Sequence, residues 1–194
     1  MAVRPVRHDD VEPLAAMLAR SFHDDPVTAW VYAREQRRAH WALRFFGWQL
    51  RRLRDQDVAW TSEDRAGAAL WALPERWRED TRETLALLRL TLPGVLPRLP
   101  RVLAGLGQVE ARHPTERHFY LAVLGVDPGR QGEGVGSQVI RPGLDLCDAE
   151  RMPAYLETGK ERNLAFYGRH GFEVVDRLDL PKGPPVWFLW REPR

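Results

Sequence analysis

The chain has 194 residues, enough for one domain with a sizeable core, and it is 44% hydrophobic and 29% charged. A net charge of +2, evenly spread, excludes a nucleic-acid surface, and no run of residues has the length of a transmembrane helix. The 29 Lys and Arg are all arginine except Lys160 and Lys182, a compositional bias rather than a binding device. The lone Cys147 rules out an internal disulfide and fits a reducing, cytoplasmic setting, and the first residues carry no apolar signal region. No Cys/His spacing resembles a metal site, and the six histidines are scattered, which assigns them to solvent or capping roles.

Val3 and Val6 mark a first short strand. Asp9 and Asp10 supply an N-cap with Pro13 in the first helical turn, and Val11, Leu14, Ala15, Leu18 and Phe22 follow helical spacing. The segment 23–26, His-Asp-Asp-Pro, ends that helix. A longer helix is expected over 34–54, with Ala42, Phe46, Leu50 and Leu53 on its apolar face and arginines on the other. Residues 58–61 and 66–73 read as two strands around a Glu63-Asp64 turn. A helix over 84–92 places Leu85, Leu88 and Leu92 in register. Pro93-Gly94, Pro97 and Pro100 then break the chain before an amphipathic stretch on Leu99, Leu103, Leu106 and Val109. A strand over 117–126 follows, then a helix over 135–150 that Pro142 should kink or loosen. The remainder reads as a strand at 154–158, a short helix at 163–170 capped by Gly171, and strands at 172–180 and 186–190. The expected fold is a single α/β (α+β) domain over 1–194, built on one sheet.

The most informative stretch is the glycine-rich turn at 125–137, Gly-Val-Asp-Pro-Gly-Arg-Gln-Gly-Glu-Gly-Val-Gly-Ser. Strand, glycine turn and helix start together aim several backbone N–H groups at one point, a socket for phosphate. A P-loop requires Lys where Gly136 stands. The alternate glycines Gly132, Gly134 and Gly136 lack the dinucleotide spacing, although Glu157 sits at the distance a dinucleotide site would use. The partner motifs of a kinase loop are missing. A dinucleotide site and a plain tight turn stay open as lesser readings.

Gln131-Gly-Glu-Gly-Val-Gly136 resembles the pyrophosphate loop of the Gcn5-related N-acetyltransferases. The pattern from Asn163 through Phe166-Tyr167 to Gly171-Phe172 is similar to that family's later motif. The stretches Leu124-Gly-Val-Asp-Pro, Arg141-Pro-Gly143, Pro153-Ala-x-Leu-Glu-Thr158 and Arg162-Asn-Leu164 look like the puromycin N-acetyltransferase group, which shares Pro142. The likeness is close over 119–172 and poor over 34–114. It implies a mixed, mostly antiparallel sheet, splayed at the coenzyme site, with helices on both faces. It also implies acetyl-CoA as co-substrate, no metal, and a small-molecule amine as acceptor, a puromycin-like nucleoside antibiotic among the candidates. Neither nucleic acid nor membrane is an expected partner, and the protein is expected as a monomer or homodimer. Two alternatives stay open: a protein or peptide N-acetyltransferase of the same fold, and a non-catalytic coenzyme-A-binding module.

Acetyl transfer to an amine needs a positioned thioester, a donor for its oxygen, a base for the amine and an acid for the thiolate. The resemblance assigns Arg130, Gln131, Gly132, Gly134, Val135, Gly136 and Ser137 to the pyrophosphate. Leu124, Gly125 and Val126 fall to the coenzyme arm, with a splay near Leu124-Gly125 and Gly125 suited to a bulge. Asn163 and Phe166 complete the coenzyme set. Tyr167 is the expected acid and Glu157 the expected base. Asp24 and Asp25 border the expected acceptor pocket. Trp30, with Trp41, Trp48 and Trp71, is a candidate to line it, core packing being the plainer role for tryptophan. No covalent intermediate is required, so Cys147 is assigned to the core.

Overall fold

Different helices cover the two faces of the sheet. The computed structural model describes residues 2–194. Its elements are β1 (Val3–Pro5), α1 (Val11–Ser21), α2 (Pro26–Val31), α3 (Glu35–Arg54), β2 (Ala59–Ser62), β3 (Gly67–Ala72), α4 (Thr81–Val95) and α5 (Leu99–Glu110). They continue with β4 (Phe119–Val126), α6 (Val135–Ala149), β5 (Ala154–Thr158), α7 (Leu164–Arg169), β6 (Glu173–Asp179) and β7 (Pro185–Arg191). The strands form one seven-stranded sheet, β1-β2-β3-β4-β5-β7-β6, antiparallel except between β4 and β5. This is the mixed, mostly antiparallel α/β architecture expected from the sequence.

Leu14, Ala15 and Leu18 of α1 and Ala42, Phe46, Leu50 and Leu53 of α3 pack on Ala68, Leu70 and Val123 on one face. Val139, Ile140, Leu144 and Cys147 of α6 and Tyr167 of α7 pack on Phe119, Leu121 and Leu156 on the other. A bulge sits in β4: Leu70 pairs with Val123 but Trp71 with Leu121, so Ala122 is the extra residue. The slip in phase turns Val123 toward α1 while Leu124 and Val126 face α6.

Several local expectations are corrected. Asp10 does not spend its side chain capping α1. Its carboxylate is wholly buried and accepts from Arg4 at 2.6 and 3.0 Å, from Arg65 at 2.6 Å and from the Arg7 amide at 2.8 Å. The short α2 after Pro26 is an added element. α4 starts earlier than expected, where Asp80 and Glu83 form a reciprocal capping box, and runs through Pro93 to Val95. α6 runs on through Pro142, which loosens one turn as expected: its missing N–H leaves the carbonyl of Gln138 without a helical donor. The buried face of α5 is set by Val102 and Gly105, with Trp30 against Gly105, while Leu103 and Leu106 are exposed. Leu85 and Leu88 of α4 are exposed too.

Candidate active site

β4 and β5 run together for only two residue pairs, Phe119 with Ala154 and Tyr120 with Tyr155, and then part. The backbone directions along β4 follow from its neighbours. The Asp127 amide donates to Ala66 O in the β3 direction at 2.8 Å, while the Val126 amide donates away from β3 to Ser21 Oγ at 3.2 Å. Successive amides alternate, so the Leu124 N–H shares the edge of Val126 and points into the split. The splay therefore includes the expected Leu124-Gly125 region but opens after Tyr120, and the bulge belongs to Ala122 rather than to Gly125. Gly125 serves close approach: a Cβ there would lie 2.5 Å from Leu18 Cδ2 and 3.2 Å from Ser21 Oγ. Its lack of a side chain lets α1 close over the split.

Beyond Val126 the chain turns through the glycines into α6. Gly134 is the N-cap residue with φ +82°, a left-handed conformation that costs glycine little. The first-turn amides of α6, at Val135, Gly136 and Ser137, have no intrahelical acceptor and stand at the positive end of the helix dipole.

A cleft of about 330 Å³ opens over this turn and the split. Leu124, Gly125, Val126, Arg130, Gln131, Gly132, Gly134, Val135, Gly136, Ser137, Asn163 and Phe166 all line it, so the structure gathers the whole expected coenzyme set in one place. Gln131 Nε2 reaches back to Val126 O at 3.3 Å, and Asn163 Nδ2 donates to Thr158 Oγ1 at 3.1 Å. The charge of Arg130 is already paired, with Glu133 at 2.5 Å and Asp64 at 2.8 Å. Lys160, Arg162 and Arg169 also line the cleft. Arg169 lies over the Phe166 ring and has no carboxylate within 4 Å among the described residues. Sequence reasoning missed these three cations and Ser21. For the cations the nearest signal was their placement around Asn163 and Tyr167, while Ser21 had none.

Tyr167 lines the cleft too. Burial first, and then the neighbouring Asp25 charge, raises its pKa far above the ordinary phenol value, which keeps its proton available. Asp25 also borders the cleft. Its carboxylate caps α2 by accepting from the Thr28 amide at 2.8 Å, and burial pushes its pKa up against that bond. Asp24 and Trp30 are not brought to the cleft. Asp24 is exposed and paired with Lys160 at 2.6 Å and Arg162 at 3.1 Å, contacts that hold its pKa down, the Lys160 hydrogen bond most. Trp30 is 5% exposed and donates from Nε1 to Pro181 O at 3.3 Å. Trp71 is buried in the sheet and Trp41 packs at Gly94, so the tryptophans form no common pocket. Burial raises the Cys147 thiol to about 12, consistent with a core role.

Glu157 lies apart from the cleft lining, on β5 just beyond the last paired residues. Its Oε2 accepts from Tyr120 OH at 2.6 Å and its Oε1 is 3.5 Å from His113 Nδ1. Burial, then the Glu157 charge, raises the Tyr120 pKa well above its ordinary value, so Tyr120 stays a donor. His113 and Tyr120 were missed because 37 to 44 positions separate them from Glu157 and no spacing rule links them. No group of three or more His, Cys, Asp or Glu is arranged to hold a metal ion among the described residues, and none of their helices is long and apolar enough to cross a membrane.

The model of the acetyltransferase (GNAT) family matches residues 13–172. An uncharacterized N-acetyltransferase of Schizosaccharomyces pombe is 26% identical over 211 residues, covering 100% of this chain and 84% of its own length. Among solved structures, the histone acetyltransferase HPA2 and related acetyltransferase from Corynebacterium glutamicum superposes with a TM-score of 0.69 at 20% identity, over 100% of this chain and 96% of that one. A Drosophila melanogaster polyamine N-acetyltransferase that forms N-acetylagmatine gives 0.63 at 14% identity, over 98% of this chain and 99% of its own. At these identities the two structures attest a shared fold. The family model, by contrast, spans both the split sheet and the glycine turn, and the chain therefore belongs to the acetyltransferase (GNAT) family, acyltransferases that use acetyl-CoA.

Proposed function

We propose that the protein transfers acetyl from acetyl-CoA to the primary amine of a small molecule by direct attack in a ternary complex. The observation that carries this reading is the Leu124 N–H facing the split, in the same cleft as the free amides of α6 and the Tyr167 phenol. The amides at 132–137 and the cations Lys160, Arg162 and Arg169 suit a pyrophosphate. Leu124 N–H is placed to donate to a carbonyl oxygen as it gains charge. Tyr167 gives a proton to the departing thiolate, and Glu157 takes one from the amine.

A small acceptor is favoured over a peptide because the Glu157 side chain is only 14% exposed, with Tyr120 on one oxygen and His113 facing the other. An open groove for an extended chain would leave it accessible. Pro142 and Glu157, within the motifs around them, support a place near the puromycin N-acetyltransferase group. Incubation with acetyl-CoA and a panel of amines, puromycin included, followed by mass and free-thiol measurement, tests the function. Absence of coenzyme binding overturns it. Tyr167→Phe and Glu157→Gln are each expected to lower kcat by about 100-fold with coenzyme affinity largely kept. Full rates in both would remove the assigned roles.

A further inference from the structure

Two hydrogen-bonded histidines, His113 and His118, run from the Glu116 carbonyl to the edge of Glu157. His118 Nδ1 lies 2.6 Å from Glu116 O. A carbonyl only accepts, so Nδ1 carries the hydrogen. His118 is 2% exposed, and burial outweighs its bond to Glu116 and holds its pKa down. The ring is therefore neutral, with a lone pair on Nε2. His113 Nε2 stands 3.0 Å from that lone pair and must supply the hydrogen between them. A neutral His113 then has a bare Nδ1, and what it faces is Glu157 Oε1 at 3.5 Å. Two acceptors thus confront each other across a gap slightly too long for a hydrogen bond. One proton placed there makes an N–H donor facing a carboxylate.

The surroundings hold this arrangement in place. Trp77 stacks on His113 with centroids 3.4 Å apart and planes 19° apart, a face that favours a cationic ring. Tyr120 occupies the other oxygen of Glu157. The remaining titratable or charged neighbours are Tyr155 on β5, Glu79 and Arg78 before α4, and Arg112 and Asp176, which pair with each other at 3.2 Å. β7 contributes the neutral Trp190.

Resting on the reading of Glu157 as base, we propose that Glu157 and His113 act as one proton-accepting pair, with His118 a positioning residue that fixes the His113 tautomer. The amine N–H bond breaks, its electrons remain on nitrogen, and the proton bonds to Glu157 Oε1. That O–H then breaks as Nδ1–H forms, leaving a carboxylate and an imidazolium. The chain ends at the Glu116 carbonyl, which takes no proton. His113 therefore stores the proton during transfer and returns it through Glu157 to water as product leaves. His113 acts through Glu157 and is itself a positioning residue.

Ring ¹⁵N NMR of the whole protein and pH–rate profiles test this. In neutral protein His113 is expected to carry hydrogen on Nε2 and His118 on Nδ1. A hydrogen added to the His113 ring is expected at Nδ1, and Glu157→Gln should weaken its hold there, since the facing carboxylate is gone. His113→Gln keeps a donor toward His118 but loses the proton acceptor. It should lower kcat about tenfold, displace the low-pH limb of kcat/KM and leave acetyl-CoA affinity unchanged. A His113 with hydrogen on Nδ1 alone at neutral pH overturns the proposal, as does a limb that coincides in wild type and His113→Gln. If coenzyme binds but no amine is acetylated, the functional reading falls. The ring spectra of wild type and Glu157→Gln then still decide whether the pair shares a proton, and they do so equally if His113→Gln fails to fold.

Discussion

Tyr120 donates a 2.6 Å hydrogen bond to Glu157 from the last residue pair at which β4 and β5 still run side by side. The contact joins the two strands at the point where their ladder stops. Tyr120→Phe leaves the Glu157 carboxylate short of a donor in a mostly buried place. A loss of about 1.5–3 kcal/mol is expected, the scale for a hydrogen bond to a charged group, read by urea unfolding. Turnover should fall while coenzyme affinity holds, because Tyr120 does not line the coenzyme cleft.

Gly125→Ala drives a methyl group into Leu18, which is fully buried and cannot swing clear. Overpacking of this kind costs about 1–3 kcal/mol. Because Ser21 and Phe22 of the same region line the cleft, acetyl-CoA affinity should weaken along with stability, measured by calorimetry and thermal unfolding. Unchanged affinity would mean that α1 does not set the cleft width.

Asp10 makes stability depend on acid. The Arg4 hydrogen bonds above all, helped by Arg7 and Arg65, hold its carboxyl well below the usual range against the cost of burial. A depressed folded pKa stabilises the fold above the unfolded value of about 4 and loses that effect as pH falls further. Asp10→Asn should cost about 3 kcal/mol at pH 7, since it removes the buried carboxylate and leaves Arg4 and Arg65 only their exposed partners Glu63 and Asp9. The gap between wild type and variant should shrink at pH 3, and an equal gap at both pH values would refute an ionised Asp10.

Cys147 offers a check on direct attack. With its thiol near 12, it should resist iodoacetamide at pH 8 in the native protein and react once the chain unfolds. Activity should survive Cys147→Ala apart from a stability loss.

Acetyl-CoA at about 100 times its Kd should add about 2.7 kcal/mol of stability, which for a chain of this size is roughly 5–10 °C in Tm. Amides 121–126 should gain hydrogen-exchange protection at the same time. A rise in Tm without protection there would place the coenzyme elsewhere.

The glycine turn, Asn163 and Tyr167 could be read in the sequence because each motif is local: a few consecutive residues fix both backbone shape and chemistry. The face of α5 was misjudged because leucine spacing suggested one stripe, while the space left for Trp30 at Gly105 selected another. Asp10 has the spacing of a cap, but its partners Arg4 and Arg65 come from β1 and the β2–β3 turn, and only tertiary pairing reveals them. His113 faces Glu157 through a connection between elements, where no periodicity operates. Asp24 and Asp25 are adjacent in sequence, yet one turns to Lys160 and the other caps α2 beside the cleft.

The split between β4 and β5 also bears on self-association. Unpaired strand edges normally recruit strands from other molecules. Here two such edges face each other in the interior of the sheet, closed at one end by the Tyr120–Tyr155 pair. The true margins are β1, three residues ending in Pro5, and β6, where exposed Val174 and Val175 are flanked by the charged Glu173, Asp176, Arg177 and Asp179. A short, proline-ended strand and a charged one make poor templates. The backbone groups left open for a ligand are thus kept where a neighbouring copy of the chain has no straight path to them.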